Sequence, residues 1–400
     1  MTQALSGIRV LDLSNVLAGP LCAYQLALLG AEVIKVEVPK TGDLARQLGA
    51  DTALNARHMG ASFLAQNGGK KSITVNLKSE AGKEVLRRLA RSADVLVENF
   101  RPGVMDRLGL GYRELCEINP SLVYCAISGF GQSGPMKDAP AYDQIIQGLS
   151  GMMSVTGNDD CGPMRAGYPV ADTIGGITAA FAIAAALVRR SRTGEGSLID
   201  VSMLDSAIVS LGWVVSNYLI AGVTPRAIGN ENFTAAPSGT FRTGRGLLNI
   251  AANKQEQFEA LARALGREDL LADPRFAARE ARKCNRAALT GELEAALAGR
   301  SAAEWEAALN RVGVPAGRVL TVPEVLEVAQ VKERELLQVF DNAPGVDRSI
   351  TLARCGFKMS DGDPSVSAPP PQLGEHTAEI LHAIGYSSAD IGRLRQAGAV

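Results

Sequence analysis

The stretch IRVLDLSNVLAGPLCAYQLALLGAEVIKVEV, residues 8–38, contains two short β-rich runs, IRVLDL and EVIKVEV, on either side of a longer segment. Both runs are almost continuous in apolar and β-branched residues, which is the pattern of strands buried on both faces. Amphipathic pieces such as residues 79–92 separate four further runs of this kind, at Ser72–Leu77, Asp94–Phe100, Leu122–Phe130 and Ser197–Met203. Because strands alternate with helices, we predict an α/β fold with a parallel sheet and helices on both faces, Rossmann-like in its winding.

The character of the sequence changes after this region. Residues 229–246 are loop-forming, LLNIAAN at residues 247–253 is typical of a strand, and the helices that follow are rich in Ala, Arg and Glu. A proline-rich connector at residues 364–371 precedes a last helix. We therefore predict a large domain at residues 1–224, a smaller α+β domain at 225–330, and a return segment with C-terminal helices at 331–400 that joins the large domain.

Composition limits the classes of partner. The chain has 400 residues, 46% of them hydrophobic, and a formal net charge of -1 with both signs well mixed. No basic stripe favours nucleic acid or a membrane surface, and the longest apolar run covers only about 15 of the roughly 20 residues that a transmembrane helix needs. The six cysteines are scattered, and the amino terminus lacks the pattern of a secretory signal. We expect a cytoplasmic protein with reduced thiols and small-molecule partners.

Several common catalytic motifs are missing from the sequence. The turn after the first strand has one glycine rather than GxGxxG, and GxxxxGK[ST], HExxH and GxSxG do not occur. The three histidines have no metal-ligand spacing. We therefore predict no metal site and no nicotinamide chemistry, which leaves carboxylates, glycine-rich turns and backbone amides.

Three turns follow predicted strands: Leu17–Pro20, Glu98–Gly103 and Gly129–Pro135. One such turn alone is more often an ordinary strand-to-helix connection. Three of them meet at the carboxyl edge of the sheet, where open α/β folds bind ligands, and their glycines allow a ligand to approach backbone N–H groups. These turns are the predicted ligand site.

Asp172 stands immediately before a long run without charge. An aspartate there is most often a helix cap, since its carboxylate accepts hydrogen bonds from the first free N–H groups. The same N–H groups and the helix dipole also favour the ionised form that a nucleophile needs, so both roles are open. Gly175 and Gly176, early in the same helix, indicate close packing beside Asp172.

Taken in order, these blocks resemble the class III CoA-transferase family, also called the CaiB/BaiF family. The resemblance covers nearly the whole chain, including GIRVLDLSNVLAGP, DVLVENFRPGVMDRLGLGY, NPSLVYCAISGFGQSGP, AYDQIIQGLSGMMSVTG, RTGEGSLIDVSMLDS and PPPQLGEHTAEIL. It implies that Asp172 is the catalytic nucleophile, with helix capping as its means of staying ionised. It also implies an interlocked homodimer.

The resemblance further implies a set of CoA contacts. Val16, Ala18 and Arg46 match positions that line the nucleotide, and Ser72 and Ile73 match positions whose backbone meets the adenine. The pantetheine and phosphate side would be formed by Asn99, Phe100, Arg107 and Lys137.

The sequence departs from the family pattern at some positions. Val38 stands where many members have Arg. Leu17 stands where the formyl-CoA branch has Gln, and the glycine run of that branch in the small-domain loop is missing here. The differences from the formyl-CoA branch disfavour oxalate or formate as a substrate. Tyr142 stands where racemases have a catalytic His, and a Tyr with a pKa near 10 is a poor base at neutral pH.

The predicted reaction is transfer of CoA from an acyl-CoA, such as succinyl-CoA, to a small C4 or C5 dicarboxylate through aspartyl anhydride and aspartyl-CoA thioester intermediates. Coenzyme A enters as substrate, and no bound cofactor is expected. Gly134 with Gly175 or Gly176 would stabilise oxyanions, and Arg165, Arg242 or Arg245 would pair with the second carboxylate. The alternatives are an acyl-CoA racemase or isomerase and a non-catalytic CoA-binding protein.

Overall fold

The computed structural model describes residues 2–400, which divide into two compact units. The larger unit comprises residues 2–152, Arg165–Val223 and Arg334–Val400, and the smaller comprises Met153–Met164 and Thr224–Glu333. Residues 153–164 thus group with the smaller unit, whereas the sequence prediction placed them in the large domain. A backbone contact explains the difference, since Gly229 N donates to Gly157 O at 2.7 Å.

A six-stranded parallel sheet forms the centre of the larger unit, in the order β3-β2-β1-β4-β5-β6. This is the strand order of the Rossmann fold, so the predicted fold class is confirmed. All six strands fall within the runs predicted from the sequence or overlap them. The strands are β1 Arg9–Asp12, β2 Glu32–Glu37, β3 Lys70–Thr74, β4 Val95–Glu98, β5 Val123–Ser128 and β6 Ser197–Ser202.

The remaining strands form two small antiparallel sheets. One belongs to the smaller unit and has the order β7-β8-β9, and the other is a hairpin of β10 and β11 in the larger unit. Their bounds are β7 Ser238–Arg242, β8 Leu247–Ala251, β9 Ala316–Arg318, β10 Leu337–Phe340 and β11 Ile350–Ala353.

The helices are mostly short. Two single turns of 3-10 helix lie at Leu44–Gln47 and Met152–Val155. The α-helices are α1 Ala18–Leu28, α2 Thr52–Ala56, α3 Ala61–Leu64, α4 Glu80–Arg91, α5 Val104–Arg107, α6 Tyr112–Ile118, α7 Asp143–Leu149, α8 Val170–Thr193, α9 Met203–Ser210, α10 Trp213–Ala221, α11 Gln255–Ala264, α12 Asp269–Ala272, α13 Arg279–Cys284, α14 Arg286–Leu297, α15 Ala302–Arg311, α16 Val322–Leu326, α17 Ala329–Glu333, α18 Thr377–Ala383 and α19 Ser388–Gln396.

Alternate side chains along the strands pack into two separate cores, one on each face of the sheet. Val10 and Val33 belong to the core shared with α1 and α8, whereas their neighbours Leu11 and Ile34 belong to the core shared with α4, α18 and α19. This period of two is what a strand covered on both faces requires. The smaller unit has its own core, in which β7 and β8 pack against α11, α14 and α15.

Helix α8 packs along α1 through small residues. A Cβ built on Gly176 would lie 2.5 Å from the carbonyl oxygen of Ala18, and one on Gly175 would lie 3.0 Å from Met203 Cγ. The two glycines therefore allow α8 to approach α1 and α9, which agrees with the close packing expected beside Asp172. The opposite face of α8 is exposed, with Phe181 75% accessible, so the helix is buried on one side only.

We expect Gly176→Ala to destabilise the protein by about 1–3 kcal/mol, because the added methyl group meets backbone rather than a mobile side chain. Gly291→Ala is the matched control, since Gly291 lies in α14 and a methyl group added there would have no neighbouring atom within 4 Å. That variant should gain roughly 0.5–1 kcal/mol from the lower entropy of the unfolded chain. Denaturant unfolding measures both, and equal behaviour of the two variants would contradict the packing argument.

Candidate functional site

The turn that follows β1 is held in an unusual conformation. Val16 has φ of 69°, a strained value for a β-branched residue. The N–H of Val16 donates to Asp43 Oδ1 at 2.9 Å. The preceding residue, Asn15, forms two hydrogen bonds of 2.8 Å with the side-chain amide of Asn99: Asn15 N donates to Asn99 Oδ1, and Asn99 Nδ2 donates to Asn15 O. The carboxyl ends of β1 and β4 are thus tied together at the predicted ligand edge.

A buried ion network supports this turn from below. Lys35 Nζ lies 3.0 Å from Asp43 Oδ2 and donates to Ser14 O at 2.8 Å, and Lys70 Nζ pairs with Asp12 at 2.8 Å. Burial opposes the charge of Asp12, but the two lysines outweigh it and lower the pKa of Asp12 to about 2. Ionised partners on both sides explain how a strained turn keeps one conformation.

The turn borders a cavity of about 340 Å³ that lies wholly within the larger unit; we call it the Asp172 cavity. All three turns predicted from the sequence contribute to it. Its lining consists of residues 15–18, Leu44, residues 99–102, residues 127–129, Lys137, residues 139–142, Asp172 and Met203.

Asp172 is the carboxylate inside this cavity. It is the third residue of α8, and the N-cap position is held by Pro169, whose side chain cannot accept a hydrogen bond. The carboxylate of Asp172 accepts no hydrogen bond from residues 2–400, so the prediction that Asp172 caps its own helix is wrong. The first-turn amides are occupied by other acceptors: Asp143 Oδ1 binds Ala171 N and Asp172 N, and Pro169 O binds Thr173 N.

The helix N–H groups were expected to favour the ionised form of Asp172, but they bind Asp143 instead. Burial, followed by the nearby carboxylate of Asp143, raises the pKa of Asp172 to about 7. The helix terminus therefore does not dominate, because its N–H groups point at Asp143 rather than at Asp172. A carboxylate of this basicity is a stronger nucleophile than an ordinary aspartate, and it is partly ionised at neutral pH.

Seven of the residues predicted to form the site line the Asp172 cavity together: Val16, Ala18, Asn99, Phe100, Lys137, Tyr142 and Asp172. Lys137 is exposed and forms no ion pair with any residue between 2 and 400, and the same is true of Arg101, which the sequence analysis missed. Two cations without carboxylate partners on one cavity are suited to bind an anion such as a phosphate.

Three predicted nucleotide contacts have other partners in the structure. Arg46 is fully buried, binds both carboxylate oxygens of Glu37 at 2.7 and 2.8 Å and stacks on Phe63, so its guanidinium does not reach the cavity. Ser72 donates its N–H to His376 Nδ1, and Ile73 is completely buried in β3. The side chains of Arg46, Ser72 and Ile73 are thus buried in the fold, and the adenine contacts expected of the Ser72 and Ile73 backbone stay a prediction.

Of the predicted oxyanion donors, Gly175 and Gly176 lie inside α8, and the role of Gly134 stays a prediction. Gly175 and Gly176 are buried at the sixth and seventh positions of α8, where backbone N–H groups are used within the helix. Gly134 and Arg107 are exposed on the segments after β5 and β4 without lining the cavity. Arg165 is exposed in the larger unit, and Arg242 and Arg245 are exposed in the smaller unit.

Asp143, which holds the N–H groups beside Asp172, is the most important site residue that could not be predicted from the sequence. Its signal in the sequence is the Asp143–Gln147 pair, four residues apart, whose side chains meet on one face of α7 at 2.6 Å. Nothing in the local sequence indicates that this pair faces the start of α8, whose Ala171 lies 28 residues further along the chain.

Comparison with known proteins gives a consistent result. Residues 5–377 match CoA-transferase family III. The chain is 36% identical to the succinyl-CoA:glutarate CoA-transferase of Mus musculus over 100% of this chain and 90% of that protein. It is 41% identical to the acetyl-CoA:oxalate CoA-transferase of Acetobacter aceti over 83% of this chain and 84% of that protein. A crystal structure of a CAIB/BAIF family protein from Brucella suis superposes with a TM-score of 0.84 at 38% identity, covering 96% of this chain and 100% of that one.

Proposed function

Because this chain belongs to CoA-transferase family III, we propose that it moves coenzyme A from succinyl-CoA to a small dicarboxylic acid, with Asp172 as the covalent nucleophile. The observation that carries the proposal is the position of Asp172 in a cavity that it shares with the strained Val16 turn and with the cations Arg101 and Lys137. Such a cavity offers a nucleophile at one place and anion-binding groups at another, as a thioester of a phosphorylated carrier requires.

The reaction divides into four displacements. Asp172 Oδ attacks the thioester carbonyl, the C–S bond breaks, and an acyl-aspartyl anhydride and CoA thiolate form. The thiolate then attacks the aspartyl carbonyl, which releases the donor acid and leaves an aspartyl-CoA thioester. The acceptor carboxylate displaces the thiolate from that carbonyl, and the thiolate finally attacks the acyl carbonyl of the new anhydride. The last step regenerates the Asp172 carboxylate, so atoms and charge balance without a metal or redox cofactor.

Binding of CoA would use the side of the cavity that carries Asn99, Phe100, Arg101 and Lys137, with Arg107 on the adjoining helix as a further phosphate contact. An exposed lysine is ordinarily just solvated, but Lys137 and Arg101 line the same cavity and neither is neutralised by a carboxylate among residues 2–400. Orientation of the thioester against Asp172 is the main contribution expected from the protein, since little covalent chemistry is left for other side chains.

The acceptor is proposed to be a C4 or C5 dicarboxylate such as glutarate, mesaconate, itaconate, citramalate or malate. Support comes from the mouse relative, which by its name acts on glutarate. A second carboxylate on the acceptor needs a cation, and Arg165, in the larger unit, is exposed without an ion pair among residues 2–400; the role expected of Arg242 and Arg245 stays a sequence-based prediction. The Acetobacter relative is named for oxalate, so the absence of the formyl-CoA branch's Gln and glycine run does not exclude a C2 acid.

A second copy of the chain is proposed as the permanent partner. Helices α8, α9 and α10 expose large apolar side chains, with accessibilities of 75% for Phe181, 77% for Trp213 and 86% for Ile220. A monomer rarely leaves such a surface in water, and the family resemblance implies an interlocked homodimer.

The test is an acceptor screen with succinyl-CoA in which each dicarboxylate is paired with a monocarboxylate of equal chain length, for example glutarate with pentanoate. We expect kcat/KM to be at least about tenfold higher for the best dicarboxylate, since one ionic contact in a closed site contributes more than about 1.4 kcal/mol. Oxalate, acetate, butyrate and carnitine complete the panel.

The outcomes of the screen separate the alternatives. If the monocarboxylates give a higher kcat/KM than every dicarboxylate in the panel, the acceptor assignment is wrong, while the transferase chemistry still stands. Deuterium entering the α-carbon of an acyl-CoA without any acceptor acid would indicate an isomerase, a reaction for which Tyr142 is a poor base. Tight CoA binding with neither exchange nor transfer would indicate a non-catalytic CoA-binding protein.

A further inference from the structure

The start of α8 is held by a carboxylate from a different helix. Asp143 is the first residue of α7 and is 7% exposed. Its Oδ1 accepts hydrogen bonds from Ala171 N at 2.8 Å and Asp172 N at 3.3 Å, and its Oδ2 accepts one from Gln147 Nε2 at 2.6 Å. Asp143 therefore contacts the backbone of the residue that carries the nucleophilic carboxylate.

Gln147 extends this connection to the segment that leads into α8. Its Nε2 donates to Tyr168 O at 3.2 Å, and its Oε1 accepts from Ala166 N at 2.9 Å. Gln147 is 1% exposed, so these bonds are shielded from water. Asp143 and Gln147 together fix residues 166–172 against one face of α7; we call the two residues the α7 clamp.

Pro169 explains why the clamp is needed. A proline at the N-cap position offers no side-chain acceptor, and a buried N–H without an acceptor costs about 1–3 kcal/mol. A neutral Asn would supply an acceptor for these two N–H groups, but its NH₂ group would replace the oxygen that accepts from Gln147 Nε2. The structure instead places a second carboxylate beside Asp172, which is electrostatically unfavourable for the ionised nucleophile.

We propose that Asp143 is the positioning residue for Asp172, in that its carboxylate binds the backbone N–H groups of Ala171 and Asp172 and so fixes the first turn of α8 beside the cavity. The inference rests on the proposed role of Asp172 as nucleophile. Asp143 itself does not line the cavity and is assigned no contact with substrate.

The negative charge of Asp143 also makes the nucleophile more basic, and other charged groups near Asp172 do not replace this effect. Burial is the largest cause of its raised pKa, and Asp143 is the charged group that adds to it. Around the same cavity lie Arg101, Lys137 and Tyr142, which are open to solvent, while Asp205 on α9 is exposed and Asp200 on β6 binds Gln132 N. The α1 and α9 residues that pack against the start of α8, Ala18 and Met203, are uncharged.

The first experiment measures the titration of Asp172 directly and does not depend on activity. Aspartate is labelled with ¹³C at the carboxyl carbon, and the Asp172 signal is assigned by its absence in the Asp172→Ala variant. In the ligand-free full-length protein we expect a midpoint near the pKa of about 7. Asp143→Asn keeps an acceptor for the two N–H groups but removes the charge and the acceptor of Gln147 Nε2, and it should lower the midpoint by about one pH unit. Asp138→Asn, which neutralises an exposed carboxylate of the loop after β5, should leave it unchanged.

The second experiment separates positioning from binding. In single-turnover acylation by succinyl-CoA, Asp143→Ala should lower the rate about 100-fold, since a displacement of about 1 Å is enough for such a loss. The KM for succinyl-CoA should stay within about threefold of wild type, because the cavity lining is intact. If Asp143→Ala does not fold, Asp143→Asn carries the test, with a smaller rate loss and the same shift in titration.

Two results would overturn the proposal: an Asp172 midpoint in Asp143→Asn equal to that of wild type, or acylation by Asp143→Ala within about twofold of wild type. Failure of the proposed function looks different. In that case either the wild type transfers no CoA or Asp172→Ala retains transfer activity, while the Asp172 signal still moves in Asp143→Asn.

Discussion

Asp172→Ala is expected to lower the rate of CoA transfer by at least about 10⁴-fold, because the covalent route loses its nucleophile and no other carboxylate lines the cavity among residues 2–400. Affinity for CoA should change by less than about threefold, since Arg101, Lys137 and the Val16 turn are untouched. Transfer is measured by chromatography of the acyl-CoA products and affinity by calorimetry. Activity within about tenfold of wild type would move the nucleophile elsewhere.

The variant should also fold as the wild type does. Asp172 accepts no hydrogen bond from residues 2–400 and caps nothing, so its removal leaves no unsatisfied N–H. Above about pH 7 the variant should be the more stable of the two, because the wild type then holds an ionised carboxylate in a buried position. Light scattering should give twice the chain mass of 42.0 kDa for both proteins; a monomer would contradict the proposed dimer.

A trapping experiment locates the covalent intermediate independently. Wild-type enzyme with succinyl-CoA and hydroxylamine should yield the hydroxamate of Asp172, since anhydrides and thioesters of aspartate react with strong nucleophiles. Peptide mapping of the Asp172→Ala variant is the control and should show no hydroxamate. A label on another residue would assign the nucleophile to that residue.

The sheet could be predicted well from the sequence because burial on both faces leaves a local record. The runs IRVLDL and EVIKVEV each contain four apolar residues, and β1 and β2 lie inside them; the charged Asp12, Lys35 and Glu37 of these strands are buried in ion pairs. The convergence of the three turns followed from the geometry of parallel strands, whose carboxyl ends share one edge. Seven of the predicted site residues consequently line one cavity.

The contacts that could not be predicted from the sequence are set by packing rather than by local pattern. Arg46 has the charge and the hydrogen-bond donors of a phosphate-binding residue. In the structure, however, its guanidinium donates to both carboxylate oxygens of Glu37. Asp172 has the position of a cap, but Asp143 supplies the acceptor from α7. In both cases a short polar pattern is compatible with two partners, and only the packing of the elements decides between them.

The acid limb of the pH profile is the remaining consequence of the Asp172 environment. We expect kcat/KM for succinyl-CoA to fall about tenfold per pH unit below about pH 7, so that the value at about pH 5 is roughly 100-fold below that at about pH 8. The sign follows from the nucleophile: attack needs the ionised carboxylate, and burial together with Asp143 raises the pKa so that the proton stays bound up to about pH 7. An aspartate in water would stay ionised down to about pH 4 and would give a flat profile over this range.

Two controls make this pH profile specific to Asp172. The pH dependence of CoA affinity in Asp172→Ala reports the ionisation of the phosphates and of the cavity cations alone. When the pH profile of kcat/KM is divided by this dependence, the ionisation of the nucleophile remains. Enzyme incubated at about pH 5 and assayed at about pH 8 should recover full activity, which excludes irreversible acid inactivation as the cause. An acid limb that remains near about pH 4 after both corrections would show that Asp172 is ionised throughout the neutral range, and the like-charge effect of Asp143 would then have no kinetic role.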